Sequence, residues 1–219
     1  MRPIVILLGG LAAVLTAQAQ AQEWSQWRGP SRDGIVLAAV MPKQWPKSTR
    51  RAWAVEIGEG YSSPVVANGR AFLHSRRDPE EIVTAIDIAS GKVVWQQKYT
   101  AAFTKNQYAT TMAKGPNSTP MVAGSRLFTL GVTGILTAWN TADGTIAWRN
   151  DYSSAIDTSK LFCGTAMSPM LEGGSLIVQV GSDVHGGRVL ALDPATGQEK
   201  WVWKGPGPGY ASPLAATID

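Results

Sequence analysis

Apolar and polar positions along this chain alternate in short runs, and the runs recur in register. Ile82 to Asp87 alternates with the period of a strand, and Val93-Val94-Trp95 is a second short run after a turn. The same arrangement returns twice. Ala85-Ile86-Asp87 is followed by Gly91 and Trp95, Ala138-Trp139-Asn140 by Gly144 and Trp148, and Ala191-Leu192-Asp193 by Gly197 and Trp201. Successive tryptophans stand 53 residues apart, which marks an internal repeat. In each copy the Asp or Asn is placed to cap the turn with its own side chain, and the Gly supplies a positive φ. The small Ala leaves room for a large neighbour, so the Trp is expected to pack on the adjacent repeat.

A second hairpin precedes each signature. Ser63-Pro64-Val65-Val66-Ala67 turns at Asn68-Gly69, Thr119-Pro120-Met121 at Gly124-Ser125, and Ser168-Pro169-Met170 at Gly173-Gly174. Proline is tolerated in a strand only at a free edge. The innermost strand of a propeller blade, facing the central channel, has such an edge. Two hairpins per repeat predict a four-stranded antiparallel blade, and the fold class expected is an all-β propeller.

The predicted propeller is incomplete: three blades and the start of a fourth at Tyr210-Ala211-Ser212-Pro213. Trp53 reads as an outermost Trp strand whose three companion strands would come from the other end of the chain. The expectation is an N-terminal fragment, or a truncated reading frame, with the remaining blades supplied by C-terminal sequence. An open array completed by oligomerisation is the alternative. The expected organisation is a signal peptide over 1–21, an N-terminal extension over 22–50 and the partial propeller over 51–219. The leader rests on Arg2, the apolar run Ile4 to Leu15, and the A-x-A sites at 17–21. That run falls well short of the ~20 residues that span a bilayer, so no transmembrane segment is expected after cleavage, and the location is periplasmic or extracellular.

Composition adds exclusions. Charged residues make up only 16 % of the chain, and the net charge of +4 is scattered, with no basic run among aromatics, so nucleic-acid binding is not expected. Cys163 is the only cysteine, which rules out an intramolecular disulfide and a Cys-rich metal site. There is no G-x-S-x-G, P-loop or H-E-x-x-H.

The repeat A-x-[D/N]-x-x-x-G-x-x-x-W resembles the blade signature of pyrroloquinoline-quinone-like (PQQ-like) propellers. Trp24-Ser25-Gln26-Trp27-Arg28-Gly29-Pro30 with Arg32-Asp33-Gly34, and Gly58-Glu59-Gly60-Tyr61-Ser62-Ser63-Pro64, are similar to an exported subgroup of that family. The resemblance spans essentially the whole mature chain. It implies a propeller acting as a ligand-binding or protein-interaction scaffold, with an unknown protein or small-molecule partner. The alternative it implies is a PQQ-dependent alcohol or sugar dehydrogenase. Those enzymes hold PQQ under a disulfide between adjacent cysteines and use a calcium ion with an Asp base. The single Cys163 cannot make that pair, and no residue here matches the calcium ligands, so no cofactor is evident, and PQQ with calcium is expected only if the full-length protein is a quinoprotein.

Asp87, Gly91, Trp95, Asn140, Gly144, Trp148, Asp193, Gly197 and Trp201 are expected to be structural joints, a blade apart, and not a catalytic set. Length variation concentrates at 75–81, 101–114, 150–165 and 182–187, all predicted on one face of the propeller, where binding is expected. Within those loops the charge cluster Arg76, Arg77, Asp78, Glu80 and Glu81 reads as a solvated loop tip, with anion binding as the functional alternative. Asp183 and His185 have no third partner that would make them a metal site. Lys105 and Tyr108 lie in the longest loop without an assignable role. His74 is expected to be packed inside a strand, and Tyr61 with Tyr210 to be repeat packing. Catalytic and cofactor-binding residues remain unknown, and no metal ligands are expected.

Overall fold

A computed structural model describes residues 23–36, 44–109, 111–156, 161–182, 184–207 and 209–218. The predicted leader and Asp183 lie outside these residues. The chain forms three four-stranded antiparallel sheets. The first contains β1 (Val65–Ala67), β2 (Arg70–Arg77), β3 (Glu80–Asp87) and β4 (Val93–Thr100). The second contains β5 (Met121–Ala123), β6 (Arg126–Leu130), β7 (Ile135–Asn140) and β8 (Ile146–Asp151). The third contains β9 (Met170–Glu172), β10 (Ser175–Ser182), β11 (Gly186–Leu192) and β12 (Glu199–Gly205). Spatial order follows chain order in every sheet, as expected of propeller blades. The turn Asn68-Gly69 has φ of +51° and +71°, and Gly173-Gly174 has +52° and +70°. Two successive positive φ values match the right-handed twist of the flanking strands, and this is why those dipeptides stand there.

Most of the repeated residues serve one recurring joint. Trp95, Trp148 and Trp201 pair across the sheet with Ala85, Ala138 and Ala191, and the ladder shifts register directly after each Ala. The indole of Trp95 lies on Gly144 of the next blade, and that of Trp148 on Gly197; a Cβ at either glycine would fall 2.6 Å from the ring. Each Nε1–H donates to a carbonyl three residues before that glycine, Thr141 O and Pro194 O, both at 3.0 Å. Trp53 docks in the same way on Gly91, donating to Ile88 O at 2.8 Å. Asp87 and Asp193 accept turn N–H groups, from Ser90 at 2.8 Å and Thr196 at 3.0 Å. In the second blade Asp143 takes that role from Thr145 N at 2.9 Å, and Asn140 bonds Arg126 and the Thr145 hydroxyl instead.

The core lies between blade faces. Phe72, Val83, Ala85, Trp95, Leu127 and Trp139 fill the first interface, and Phe128, Leu136, Met167, Leu176, Val178 and Leu190 fill the second. Phe72–Trp95 and Phe128–Trp148 repeat one geometry, 5.9 Å between centroids at 45°.

Two expectations about loops are corrected. Residues 75–81 are not an irregular loop: β2 and β3 run on to Arg77 and Glu80, and only Asp78-Pro79 turns. Arg76 faces Glu81 and Arg77 faces Glu80 as direct cross-strand pairs, so opposite charges extend the ladder where apolar alternation stops. Ser182 and Gly186 likewise belong to β10 and β11.

Candidate functional site

The inner edges of β1, β5 and β9 turn towards a common axis. Pro64, Pro120 and Pro169 directly precede these three strands. The residue before each proline carries a hydroxyl that stitches blade to blade. Ser63 N donates to Thr119 Oγ1 at 3.2 Å, Thr119 N to Ser168 Oγ at 3.0 Å, and Ser168 N to Ser212 Oγ at 2.9 Å. The recurring Ser/Thr-Pro was legible in the sequence, but this ladder was not.

The segment beginning Glu23-Trp24-Ser25 lies along those inner edges. Trp24 and Val66 exchange two backbone hydrogen bonds of 2.9 Å, and Val122 N donates to Ser25 O at 2.7 Å. Arg32 then reaches the third and fourth repeats: Nη1 donates to Pro169 O at 3.0 Å, Nη2 to Ser168 O at 3.4 Å and Nε to Pro213 O at 3.1 Å. Its guanidinium stacks on Trp27, 5.2 Å from the ring centroid. Strand edges left open at the axis are thus filled by the chain's own N-terminal segment, which satisfies main-chain groups in four successive repeats. Arg28 and Gly34 close the segment on itself through Gly34 N and Arg28 O at 2.9 Å.

Above Trp27 opens a cavity of about 450 Å³, walled by Tyr61, Ser63, Asn117, Ser168, Tyr210 and Ser212 from four repeats. Met112 and Cys163 reach it from the two long inter-blade loops. Tyr61 and Tyr210, expected to be packed, are about half exposed. Their hydroxyls hold equivalent loops, accepting from Ala113 N at 3.1 Å and Phe162 N at 2.7 Å. Burial pushes the Cys163 thiol pKa up. Among the described residues no carboxylate, guanidinium or ammonium lines the cavity. Among the described residues no group of three His, Cys, Asp or Glu side chains could hold a metal. The described walls therefore fit neither a calcium ion nor an anionic quinone.

A second cluster lies between the first two blades. Arg76 and Glu81 are fully buried, not a solvated loop tip. Arg76 Nη2 donates to Ala101 O at 2.6 Å and Asp78 Oδ1 at 2.7 Å, and Nη1 approaches Glu81 at 3.8 Å. Glu81 accepts from the Tyr99 hydroxyl at 2.6 Å and, across the interface, from Val132 N at 2.9 Å. His74 is buried 3.4 Å from the same carboxylate, as its expected place in a strand requires. Burial alone would raise the Glu81 pKa, but His74, Tyr99 and the Val132 N–H together hold it below the ordinary value. Burial, then the Glu81 charge, drives the Tyr99 pKa well upward. Arg149 covers Tyr99 and Trp139, 4.7 and 5.5 Å from their centroids.

The other candidates do not converge. Arg77 is exposed beside Glu56, 3.4 Å away. Lys105 donates to Met112 O, and Tyr108 stands out on the same loop. His185 is exposed in the β10–β11 turn.

The sequence profile of a PQQ-repeat family, described as outer membrane protein assembly factor BamB, matches residues 79–218. The chain belongs to this PQQ-repeat family. A curated relative, the outer membrane protein assembly factor BamB of Shewanella oneidensis, is 29% identical over 119 residues, covering 52% of this chain and 29% of the relative. The PQQ-repeat chain thus spans under a third of that relative. Among solved structures, a europium-containing methanol dehydrogenase superposes with a TM-score of 0.54 at 24% identity, over 73% of this chain and 27% of that one. This is a likeness of fold. BamB from Moraxella catarrhalis gives a TM-score of 0.41 at 15% identity, over 62% of this chain and 34% of that one. No helix among the described residues is long and apolar enough to cross a membrane.

Proposed function

We propose that this chain is part of an exported PQQ-like propeller that serves as a ligand-binding or protein-interaction scaffold in the periplasm or outside the cell. One observation carries this reading. What repeats makes the joints between blades, and the long connections that do not repeat in sequence both reach the cavity those joints frame. The Trp–Gly docking, the Asp turns and the hydroxyl ladder recur from blade to blade. The long connections that bring Met112 and Cys163 to the cavity differ in length and sequence. A regular frame carrying irregular loops on one face is how scaffolds present binding surfaces. The name of the Shewanella relative, an assembly factor, supports the interaction part of the reading. Arg2 and the apolar run behind it support export.

The test uses the full-length protein expressed with its leader in a Gram-negative host. N-terminal sequencing should find a mature chain beginning after Ala19 or Ala21, in the periplasm or medium. A photo-crosslinking residue at Tyr108 or Phe162, on the loop face, should give discrete adducts, whereas one at Gly69 or Gly173, in the tight turns, should not. Cytoplasmic retention of the uncleaved protein, or equal labelling from both faces, would overturn the proposal.

A further inference from the structure

We infer that the cavity over Trp27 is a receptor for a neutral saccharide, an inference that rests on the scaffold reading and gives it a ligand class. The argument starts from where each hydroxyl spends its lone pair. Thr119, Ser168 and Ser212 each accept a main-chain N–H from the preceding repeat, and the phenols of Tyr61 and Tyr210 each accept one from a loop. A hydroxyl has a single hydrogen to give. In all five that hydrogen has no acceptor among the described residues; Thr119 and Ser168 are buried, so Tyr61, Tyr210 and Ser212 are the hydroxyls that offer a donor to whatever enters. Asn117 spends one amide hydrogen on Cys163 O at 2.7 Å and keeps its carbonyl and second hydrogen.

Charge and shape narrow the choice. With no cation among the described wall residues, an anion would give up its hydration without a counter-charge. An apolar guest would leave the hydroxyls of Tyr61, Tyr210 and Ser212 unsatisfied. A guest with many ether and hydroxyl oxygens and a weakly polar ring face meets both the donors and the aromatic surfaces of Tyr61 and Tyr210. A volume of about 450 Å³ lies within the range of small-molecule sites and accommodates one or two sugar rings.

Cys163 supplies the readout, because it is the chain's only cysteine and lines the cavity. Alkylation of the full chain by N-ethylmaleimide is followed with methyl glucoside, maltose, cellobiose or chitobiose, and separately with citrate or toluene. At a saccharide concentration of ten times its dissociation constant, alkylation should slow roughly tenfold. Tyr61→Phe and Tyr210→Phe keep the rings but remove the donors, and they should weaken that protection. Protection by citrate or toluene and by no saccharide would overturn the ligand class while leaving the cavity a binding site. Protection that survives both Tyr→Phe changes would overturn the donor argument. Protection by nothing would overturn the inference, and the crosslinking pattern would still judge the scaffold reading separately.

Discussion

Glu81→Ala is the substitution that most directly probes how the first two blades are held together. The carboxylate is completely buried and accepts two short bonds, from Tyr99 within its own blade and from Val132 N in the next. Removing it strips the Val132 N–H of its partner, leaves the Tyr99 hydroxyl with only His74 Nε2 at 3.2 Å, takes the carboxylate from beside His74 and uncovers part of the charge on buried Arg76. Hydrogen bonds to a charged group are worth about 1.5–3 kcal/mol each. Breaking a buried ion pair from one side costs about 3–5 kcal/mol, because the remaining charge stays in the interior. Asp78 still meets Arg76 at 2.7 Å, which places the expected loss near the lower end, about 3 kcal/mol.

The assay is urea unfolding at neutral pH, read by tryptophan fluorescence and far-UV circular dichroism. Arg77→Ala is the control. It neighbours Arg76 but is exposed, and should change stability by no more than about 0.5 kcal/mol. Where Glu81→Ala alone fails to fold, the pair Arg76→Met with Glu81→Leu still answers the question, since replacing both charges with apolar groups removes the uncompensated ion and should recover that part of the loss. A Glu81→Ala loss under about 1 kcal/mol, or a double variant no more stable than the single, would refute the reasoning.

Three further outcomes follow from the same geometry. Gly144→Ala meets both a φ of +75° and the Trp95 ring at 2.6 Å, whereas Gly69→Ala meets a φ of +71° and open space. The first should cost roughly 2–4 kcal/mol and the second about 1, so equal urea midpoint shifts would refute the docking joint. Arg32→Ala should release the N-terminal segment from the axis, so limited trypsin digestion should cut at Arg28 faster than in the unaltered chain while the blades stay intact. The lowered pKa of Glu81 means that its stabilisation is complete above the ordinary carboxylate value of about 4.3 and fades as pH falls through the lower folded value. The stability gap between the unaltered chain and Glu81→Gln should therefore be wide at neutral pH and narrow in acid; a gap independent of pH would count against an ionised Glu81.

Much of the fold was legible because repetition does not depend on guessing contacts. One constant spacing located all three blades, and a small Ala opposite a large ring pointed to Trp packing on the adjacent repeat, though not to the glycine it rests on. The reading failed at Arg76 and Glu81. Five charges in seven residues look like a solvated loop when only polarity is counted, but strand pairing sets Arg76 opposite Glu81 and folds both beneath the next blade. The signal that could have located the pair was the register itself, since a two-residue turn at Asp78-Pro79 forces these residues to face each other. The cavity was hidden for a different reason. Its walls come from positions 61, 117, 168 and 210, one from each repeat, and only closure around an axis brings them together.

The axis also explains why the segment opening Trp24-Ser25-Gln26-Trp27-Arg28-Gly29-Pro30 belongs to the propeller, although the sequence set it apart as an extension. A blade's innermost strand has one unpaired edge, and three such edges meeting at the centre would leave a column of exposed N–H and C=O groups. Backbone pairing at Trp24 and Ser25 satisfies the first two blades. Beyond them the chain bends too sharply to continue a strand, and a single side chain spans the rest: the Arg32 fork reaches carbonyls of the third and fourth repeats. A lysine could reach one of those carbonyls but not hold the fixed, planar set of donors. Trp27, pinned under that guanidinium, then becomes the floor of the cavity. The same residues that close the blades' inner edges therefore decide what the loop face can bind, which is why a change at Arg32 should alter Cys163 reactivity even though the two do not touch.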